Sequence, residues 1–572
     1  MTLVASTERP VDPDLFLADS DSSPLRPGAR LALRATEFGT SIAVALVMVR
    51  LGGTIHVDPV LRVGQVSGLA ALQLRLVLLL AAAVAVYAWA ARHRPEPALR
   101  IACAAVAGLS TGLVAAGLVI ALRGTTWPVD AQSGDSGVLL QWASDLGHGK
   151  RTYGAYPPMF IYLLHWFTDC FTHGDGGLAL KDLEVFFTAI TGPMAYLAWR
   201  SQLRPLWALG IGVTAAMTVV MPYKPYTTIG LCVLVPLLGK FVLVLASTPR
   251  LSAARTARRA AAFGVAFGAL ILFYSGWFIW SAAGLSLICA VVLVQIRRNG
   301  GRPALGRAML YLGVSGAVFA TVASPYLRAL LTAHDPVDRY LYSDALMDPT
   351  YFVSWTYGLG PAAKAGTPTG DLGGVGLFTV LLLAGLGIAL ALGIRNAGVL
   401  TTVAFVGSSF LMRYWLAEHM ERDRAVNLWP RTSAELLYCF VALTGLAAML
   451  ATTRLRAWAA DLRPGEAPVG SGRRPALPRT ATAVGVLCAL GLLFGMSGSM
   501  TADSYMPSAP PKGALGQLTW NSQTVRQSDG RCPVYAPGGD CRPFVPYRIP
   551  PYAAAAEARG PLDQVSGDRA QP

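Results

Sequence analysis

The amino-acid sequence predicts an all-α, polytopic membrane protein, and three observations support this fold class. Hydrophobic residues make up 53% of the 572 residues, only 14% are charged, and long apolar stretches recur along the chain. A soluble globular domain averages about 25% charged residues. An apolar stretch of about 20 residues is long enough to cross a bilayer as a helix. We therefore expect a lipid bilayer to surround most of the chain.

Hydropathy over windows of about 19 residues predicts about thirteen transmembrane helices. They lie near 37–53, 71–91, 100–122, 182–200, 206–222, 226–246, 261–278, 281–296, 308–331, 374–393, 397–415, 433–451 and 481–499. The segments around Gly210 and Gly284 could be divided differently, because membrane helices tolerate glycine and proline. The predicted organisation is a disordered cytoplasmic tail over 1–36, a membrane domain over 37–500 and a short extracytoplasmic tail over 501–572.

The positive charge predicts the orientation in the membrane. A formal net charge of +15 would indicate a nucleic-acid partner for a soluble protein, but here the arginines are concentrated in alternate short loops between apolar segments. Such clusters mark cytoplasmic loops. Examples are Arg92, Arg94, Arg100, Arg200, Arg204, Arg250, Arg297, Arg395 and Arg454. We expect no nucleic-acid partner, a cytoplasmic N-terminus and an external C-terminal tail.

Of the eight cysteines, two lie in the predicted external tail. Cys532 and Cys541 flank a Pro-Gly-Gly turn. An oxidising compartment permits a disulfide there, and the short separation closes readily. Most of the others fall inside predicted helices, where a cysteine acts as a small apolar residue. The sequence predicts a Cys532–Cys541 disulfide and contains no zinc-binding spacing.

Polar residues gather in three predicted external loops, near 123–181, 332–373 and 416–432, so function is predicted to lie on the external side. In the first loop, Asp135 precedes a stretch with apolar residues at helical spacing. The carboxylate could cap that helix or line a cleft at the membrane surface. Further along, Pro157-Pro158 stiffens the return of the chain to the membrane.

These features together resemble the GT-C glycosyltransferases, which use polyprenyl-phosphate sugars. The run from Asp135 to Asp145, followed by Tyr153 to Pro158, is similar to the N-terminal region of actinobacterial galactan arabinofuranosyltransferases. The segment beginning near Pro158 and the turn from Pro222 to Tyr226 fit that family too. The resemblance covers about the first 240 residues. It implies a GT-C-like bundle whose external loops form the active site of a multi-pass enzyme of the cell membrane. It also implies inverting transfer of arabinofuranose to a cell-envelope glycan.

The chemistry of such a transfer requires few groups. A sugar on a lipid phosphate already has a good leaving group, so the enzyme must deprotonate an acceptor hydroxyl and stabilise the departing phosphate. Asp135 is the predicted base, with Asp130 and Asp145 as alternatives. The predicted phosphate-binding cations are Arg413, Lys224, Arg422 and Arg424, with Lys150, Arg151 and Arg431 as further external cations. Arg413 lies inside an apolar run and therefore needs a partner.

Sugar or acceptor binding is predicted for aromatic residues and one histidine of the external loops, namely Trp142, Tyr153, Tyr156 and His419. The aromatic residues could instead anchor the chain at the membrane interface. The sequence has no metal-ligand pattern; no cofactor is predicted, and divalent-cation dependence is left open. The predicted partners are a polyprenyl-phosphate sugar donor, a glycan acceptor and the lipid bilayer.

Two alternatives remain open. A polyprenyl-phosphate mannose donor would suit the same fold and the same residues. A flippase or transporter of lipid-linked sugars belongs to another class, and it would be expected to carry internal repeats and polar residues near the middle of the membrane. No repeat is evident, and the predicted helices contain few charges, which favours an enzyme.

Overall fold

The structure is a computed structural model that describes residues 27–150, 156–332, 376–423, 431–461, 479–510 and 514–543. Helices account for most of these residues, and no strand occurs among them. The all-α prediction is therefore confirmed over the described ranges. Disorder was predicted for residues 1–36, and of these 1–26 lie outside the described ranges, as do residues 544–572 of the C-terminal tail.

The described ranges contain seventeen α-helices. The first nine are α1 (Pro27–Gly53), α2 (Arg62–Ala90), α3 (Pro95–Ala121), α4 (Gly134–Gly147), α5 (Met159–Phe171), α6 (Gly176–Arg200), α7 (Pro205–Ala208), α8 (Thr214–Met217) and α9 (Pro225–Ser247). A π-helical turn over Leu209–Val213 joins α7 to α8. The remainder are α10 (Ala253–Phe273), α11 (Gly276–Thr332), α12 (Gly376–Gly393), α13 (Ala397–Glu418), α14 (Met420–Asp423), α15 (Thr432–Asp461), α16 (Arg479–Ser504) and α17 (Ala514–Thr524).

Nine helices of the described ranges are long and apolar enough to cross a membrane. They are α1, α2, α3, α9, α10, α11, α13, α15 and α16. The α11 helix contains two of the predicted segments, and its backbone leaves the helical conformation at Gly301, where φ is 66°. The helical stretch over Pro205–Met217 and α12 are apolar but shorter. The chain is thus an all-helical, multi-pass membrane protein, and the count of thirteen stays a prediction.

The helix at the centre of the N-terminal half is α3, which is buried over nearly its whole length. Helices α1, α2, α6 and α16 pack around it. Small residues make this packing possible, because they let helix backbones approach closely inside a bilayer. At Gly108 a Cβ atom would lie 2.4 Å from the carbonyl oxygen of Ser41 in α1. A larger residue at this position would push α1 away from α3.

Contacts between the turns define two ends of the bundle. At one end, which we call the site end, Arg62 pairs with Asp503 and the backbone of Val534 meets that of Gly124. At the opposite, arginine-rich end, Arg307 donates to the carbonyl of Pro249. The loops predicted to lie on opposite sides of the membrane thus lie at opposite ends of the bundle in these contacts. The assignment of the site end to the external compartment stays a prediction.

A buried ion network lies at the arginine-rich end and was not predicted. The Glu37 carboxylate of α1 accepts from Arg100 Nη2 at 2.6 Å and from Arg200 Nε at 3.0 Å. Tyr196 donates to the same carboxylate at 2.6 Å. Both arginines were predicted as loop charges, and that interpretation is wrong in detail, since their side chains are buried between helices. They pair with Glu37 because an isolated buried charge would be costly.

The structure differs from the predicted organisation at α1, α5 and α17. The α1 helix begins at Pro27, ahead of the predicted boundary between 36 and 37. The α5 helix has 13 residues, too few to span a membrane, and it exposes Tyr162, Trp166 and Phe171. In the C-terminal tail, α17 packs against the loop that follows α3. Windows of transmembrane length average over helices as short as α5 and α17.

Candidate functional site

The candidate site forms around Asp135 at the site end of the bundle. Asp135 lies in the first turn of α4, and Ser133, not Asp135, occupies the N-cap position of that helix. Its carboxylate forms an ion pair with the ammonium of Lys224, the residue immediately before α9. The side chain of Asp135 is 45% exposed, whereas that of Lys224 is 18% exposed. The Asp135 carboxylate is therefore accessible to solvent, whereas the Lys224 ammonium is mostly buried.

The environment of Lys224 keeps its ammonium charged. Burial lowers the pKa of Lys224, but the neighbouring Asp135 carboxylate raises it, and the net direction is upward. A lysine with a raised pKa is a permanent positive charge at neutral pH. The site therefore pairs one accessible carboxylate with one fixed cation.

Aromatic residues line the space beside this pair. The hydroxyl of Tyr156 hydrogen-bonds to that of Tyr226, and the Tyr156 ring lies 4.7 Å from the ring of Trp142. Burial raises the pKa of Tyr156, so its hydroxyl stays protonated. Tyr274 lies 6.4 Å from Tyr226, measured between ring centroids, and the Arg431 guanidinium carbon is 5.9 Å from the centre of the Tyr274 ring. A second cation, Arg431, thus belongs to the same cluster.

Asp130 lies in the loop that leads into α4 and has a backbone φ of 68°, in the left-handed region. Asn521 of α17 donates to the Asp130 Oδ1 atom at 2.8 Å, and the backbone N–H of Asp130 donates to the carbonyl of Leu518 at 3.0 Å. Burial raises the pKa of Asp130 to about 6, against the lowering effect of the Asn521 hydrogen bond. Nearby Asp135 also raises it. Asp130 is thus a partly buried acid, held by the C-terminal segment next to the candidate base.

Two charged residues of α6 hold the same loop through hydrogen bonds to its backbone, and neither was predicted to do so. Glu184 is fully buried, and its Oε2 accepts from the backbone N–H of Val129 at 2.9 Å. Lys181 donates to the carbonyls of Leu122 and Thr125 at 2.9 and 2.6 Å. The only sequence feature that could have indicated this role is the position of Lys181 and Glu184 near the beginning of an apolar helix.

The remaining predicted residues lie elsewhere or outside the described ranges. Asp145 pairs with Lys150 at 2.8 Å, ten residues along α4 from Asp135, which corresponds to about 15 Å of helix. The structure therefore does not bring Asp145 to the site. Arg424 and Tyr153 lie outside the described residues, as does Arg151.

The predicted cation Arg413 lies inside the bundle. Its side chain is fully buried in α13, and Nη1 donates to the hydroxyls of Thr432 and Ser433 at 2.9 and 3.0 Å. Both partners belong to the first turn of α15. A donor phosphate could reach Arg413 only if these helices separated. Its predicted contact with the phosphate stays a prediction.

His419 and Arg422 lie at the end of α13 and in α14. His419 Nδ1 is 2.6 Å from the carbonyl oxygen of Trp415, and its ring lies 4.6 Å from the Trp415 ring. Arg422 is exposed.

Within the described parts of the chain, no group of three His, Cys, Asp or Glu side chains could hold a metal ion. The predicted Cys532–Cys541 disulfide is present and confirmed.

The fold and the site define a class of protein, namely an all-helical membrane protein with a carboxylate–cation–tyrosine cluster at one end of its bundle. No family model matches the chain, and no curated protein matches it.

Proposed function

We propose that the chain is an integral membrane glycosyltransferase, which transfers a sugar from a polyprenyl-phosphate donor to an extracytoplasmic glycan with inversion at the anomeric carbon. The observation that carries this proposal is the ion pair between Asp135 and Lys224, whose carboxylate is half exposed at the end of a membrane bundle. A lipid-linked donor would present its phosphate and sugar at this depth, where the apolar helices end.

In the proposed reaction Asp135 is the general base. It takes the proton of an acceptor hydroxyl while that oxygen attacks the anomeric carbon of the donor sugar. The bond between the anomeric carbon and the phosphate oxygen breaks, and its electron pair leaves with the polyprenyl phosphate. The acceptor gains the sugar, the phosphate gains one negative charge, and the carboxylate becomes a carboxylic acid. General-base catalysis of this type contributes roughly a hundredfold to ten-thousandfold in rate.

The cations of the cluster would stabilise the departing phosphate. Lys224 and Arg431 are the cations associated with the tyrosine cluster, and a fixed positive charge is most useful where negative charge develops in the transition state. One of the Tyr156 and Tyr226 hydroxyls donates to the other, so the pair has one hydroxyl proton left to donate to a phosphate oxygen. This assignment places Lys224 first among the predicted phosphate contacts, ahead of the buried Arg413.

The sequence resemblance supplies the proposed sugar and acceptor. It implies arabinofuranose as the transferred sugar and a cell-envelope galactan as the acceptor, on the external face of the cell membrane. Mannose on the same lipid carrier is the alternative donor.

The test is a transfer assay with purified protein in lipid nanodiscs. Polyprenyl-phosphate arabinofuranose and polyprenyl-phosphate mannose are supplied separately, with a synthetic galactofuranose octasaccharide as acceptor. We expect the arabinofuranose donor to extend the octasaccharide and to release polyprenyl phosphate. Extension from mannose alone would change the donor, and extension from neither would contradict the proposal. Donor movement across a proteoliposome bilayer without sugar transfer would favour a flippase instead.

A further inference from the structure

We infer that the groove between α17 and the disulfide-closed loop of the external tail binds the acceptor glycan. The inference rests on the proposed function and adds to it a separate acceptor subsite. The groove has a volume of about 580 Å³, within the range of small-molecule sites. Trp520, Asn521, Thr524, Asp540 and Arg542 are among the residues that line it.

The lining suits a neutral carbohydrate better than a lipid phosphate. It combines one acidic side chain, Asp540, with one basic side chain, Arg542, so the two charges balance. Sugar hydroxyls both donate and accept, and a carboxylate beside a guanidinium offers an acceptor and several donors. The indole of Trp520 supplies a flat apolar face on which the C–H side of a sugar ring can pack. A phosphate would instead require an excess of cations.

The position of the groove links it to the candidate base. The Asn521 amide donates to Asp130 Oδ1 at 2.8 Å and accepts from Arg542 Nη2 at 3.3 Å. The groove wall and the loop that begins α4 therefore share a side chain. Asp130 lies in this loop, and Asp135 lies in the first turn of α4, which follows the loop. A glycan in the groove would lie beside the segment whose carboxylate must remove a proton from its terminal hydroxyl.

The groove is held in shape by covalent and backbone contacts. The Cys532–Cys541 disulfide closes the loop on one side. Arg542 N donates to the carbonyl of Thr524 at 2.8 Å, and Arg526 N donates to the carbonyl of Arg542 at 2.9 Å. On the other side, Ser522 and Gln523 of α17 donate to the carbonyls of Pro128 and Arg123 in the loop after α3. A preformed site loses less conformational entropy on binding than a mobile one does.

Direct binding to the galactofuranose octasaccharide, measured by saturation-transfer NMR on the full chain in nanodiscs without donor, tests the inference. Trp520→Ala should weaken binding by about tenfold or more, as expected for removal of an aromatic contact at the centre of a binding site. Asp540→Ala, a change at an exposed position, should also weaken it and serves if the Trp520 variant does not fold. The matched control is Trp458→Ala, because that exposed indole lies near the end of α15 at the arginine-rich end.

The outcomes separate this inference from the proposed function. Octasaccharide binding that both groove variants lose, in a protein that transfers no sugar, would support the groove and contradict the enzyme. Sugar transfer with unchanged octasaccharide binding in Trp520→Ala and Asp540→Ala would support the enzyme and overturn the groove. Failure of the wild-type chain to bind the octasaccharide would also overturn the groove.

Discussion

The carboxylate of Asp135, in the first turn of α4, is ion-paired with the ammonium of Lys224, the residue immediately before α9. This contact ties a short surface helix to the beginning of a membrane helix. An isolated exposed pair would contribute little to stability, since such pairs are worth about 0–1 kcal/mol. Here the cation is mostly buried, and its position beneath an accessible carboxylate matters more for chemistry than for folding.

The first prediction concerns the cation. Replacing Lys224 with Met keeps the length and apolar body of the side chain but removes its charge. We expect kcat for sugar transfer to fall by about a hundredfold or more, the size of effect found when one preorganised electrostatic group is removed. Lys224→Arg retains the charge and should recover part of the loss. Near-normal turnover of Lys224→Met, measured with saturating donor, would contradict this role.

A pH-dependent contribution to stability is expected from Asp130. Its pKa is about 6 in the folded protein, against an ordinary value of 3.8, because of burial. Between these values the folded chain binds a proton more tightly than the unfolded chain does, so the stabilising contribution is present at low pH and falls as the pH rises towards 6. At about 1.4 kcal/mol per pKa unit, the loss is about 1–3 kcal/mol.

Asp130→Asn is the variant that reveals this contribution. Asparagine does not titrate, tolerates the left-handed backbone and can still accept from Asn521. Relative to the wild-type chain, its melting temperature in detergent should increase between pH 4 and pH 6 and then level off. Parallel melting curves for the two proteins over that range would show that Asp130 does not titrate as proposed.

The buried network at the arginine-rich end should be sensitive to loss of its one acid. Glu37→Gln leaves Arg100 and Arg200 without their carboxylate partner, and removal of one member of a buried ion pair costs about 3–5 kcal/mol. The control is Asp503→Asn, which breaks the exposed pair with Arg62 and should cost at most about 1 kcal/mol. Equal losses of thermal stability in the two variants would contradict the role assigned to the network.

Membrane orientation can be tested with the disulfide. In a Cys170→Ser background, which removes an exposed thiol, an impermeant maleimide should label intact cells only after reduction of Cys532–Cys541. This result is expected if the tail is external, because reduction then frees two thiols that the impermeant maleimide can reach. Labelling that requires permeabilised cells would place the tail, and with it Asp135, in the cytoplasm. The proposed extracytoplasmic site would then be wrong.

The sequence predicted the all-α, multi-pass fold class but not the long-range contacts, for physical reasons. Inside a bilayer every backbone group must be satisfied within its own helix, so an apolar run of sufficient length already specifies the local structure. The pairing of Asp130 with Asn521 joins segments far apart in the chain, and no local pattern marks it. The burial of Arg100 between helices was not predicted for the same reason. In the sequence, a charge at a helix end is indistinguishable from a loop charge until its partner is known.

The candidate site was predictable in part. Asp135, Lys224, Trp142 and Tyr156 were each selected for their position in external segments, but nothing in the sequence indicated which carboxylate meets which cation. Tyr274 was missed because it lies at the end of an apolar helix, where an aromatic residue is ordinarily a membrane anchor. The capping alternative for Asp135 could be decided only by the backbone, which places Ser133 at the N-cap.

The turnover of Asp135→Asn in the arabinofuranose transfer assay tests the central claim most directly. Asparagine keeps the size of the side chain and can still accept from Lys224, and the N-cap position is not altered, so the variant should fold and bind donor. We expect its rate to fall by about a hundredfold to ten-thousandfold, the range for loss of a general base. Transfer at the wild-type rate would contradict the assignment of Asp135 as the base. Loss of transfer in Asp130→Asn instead would assign that role to Asp130.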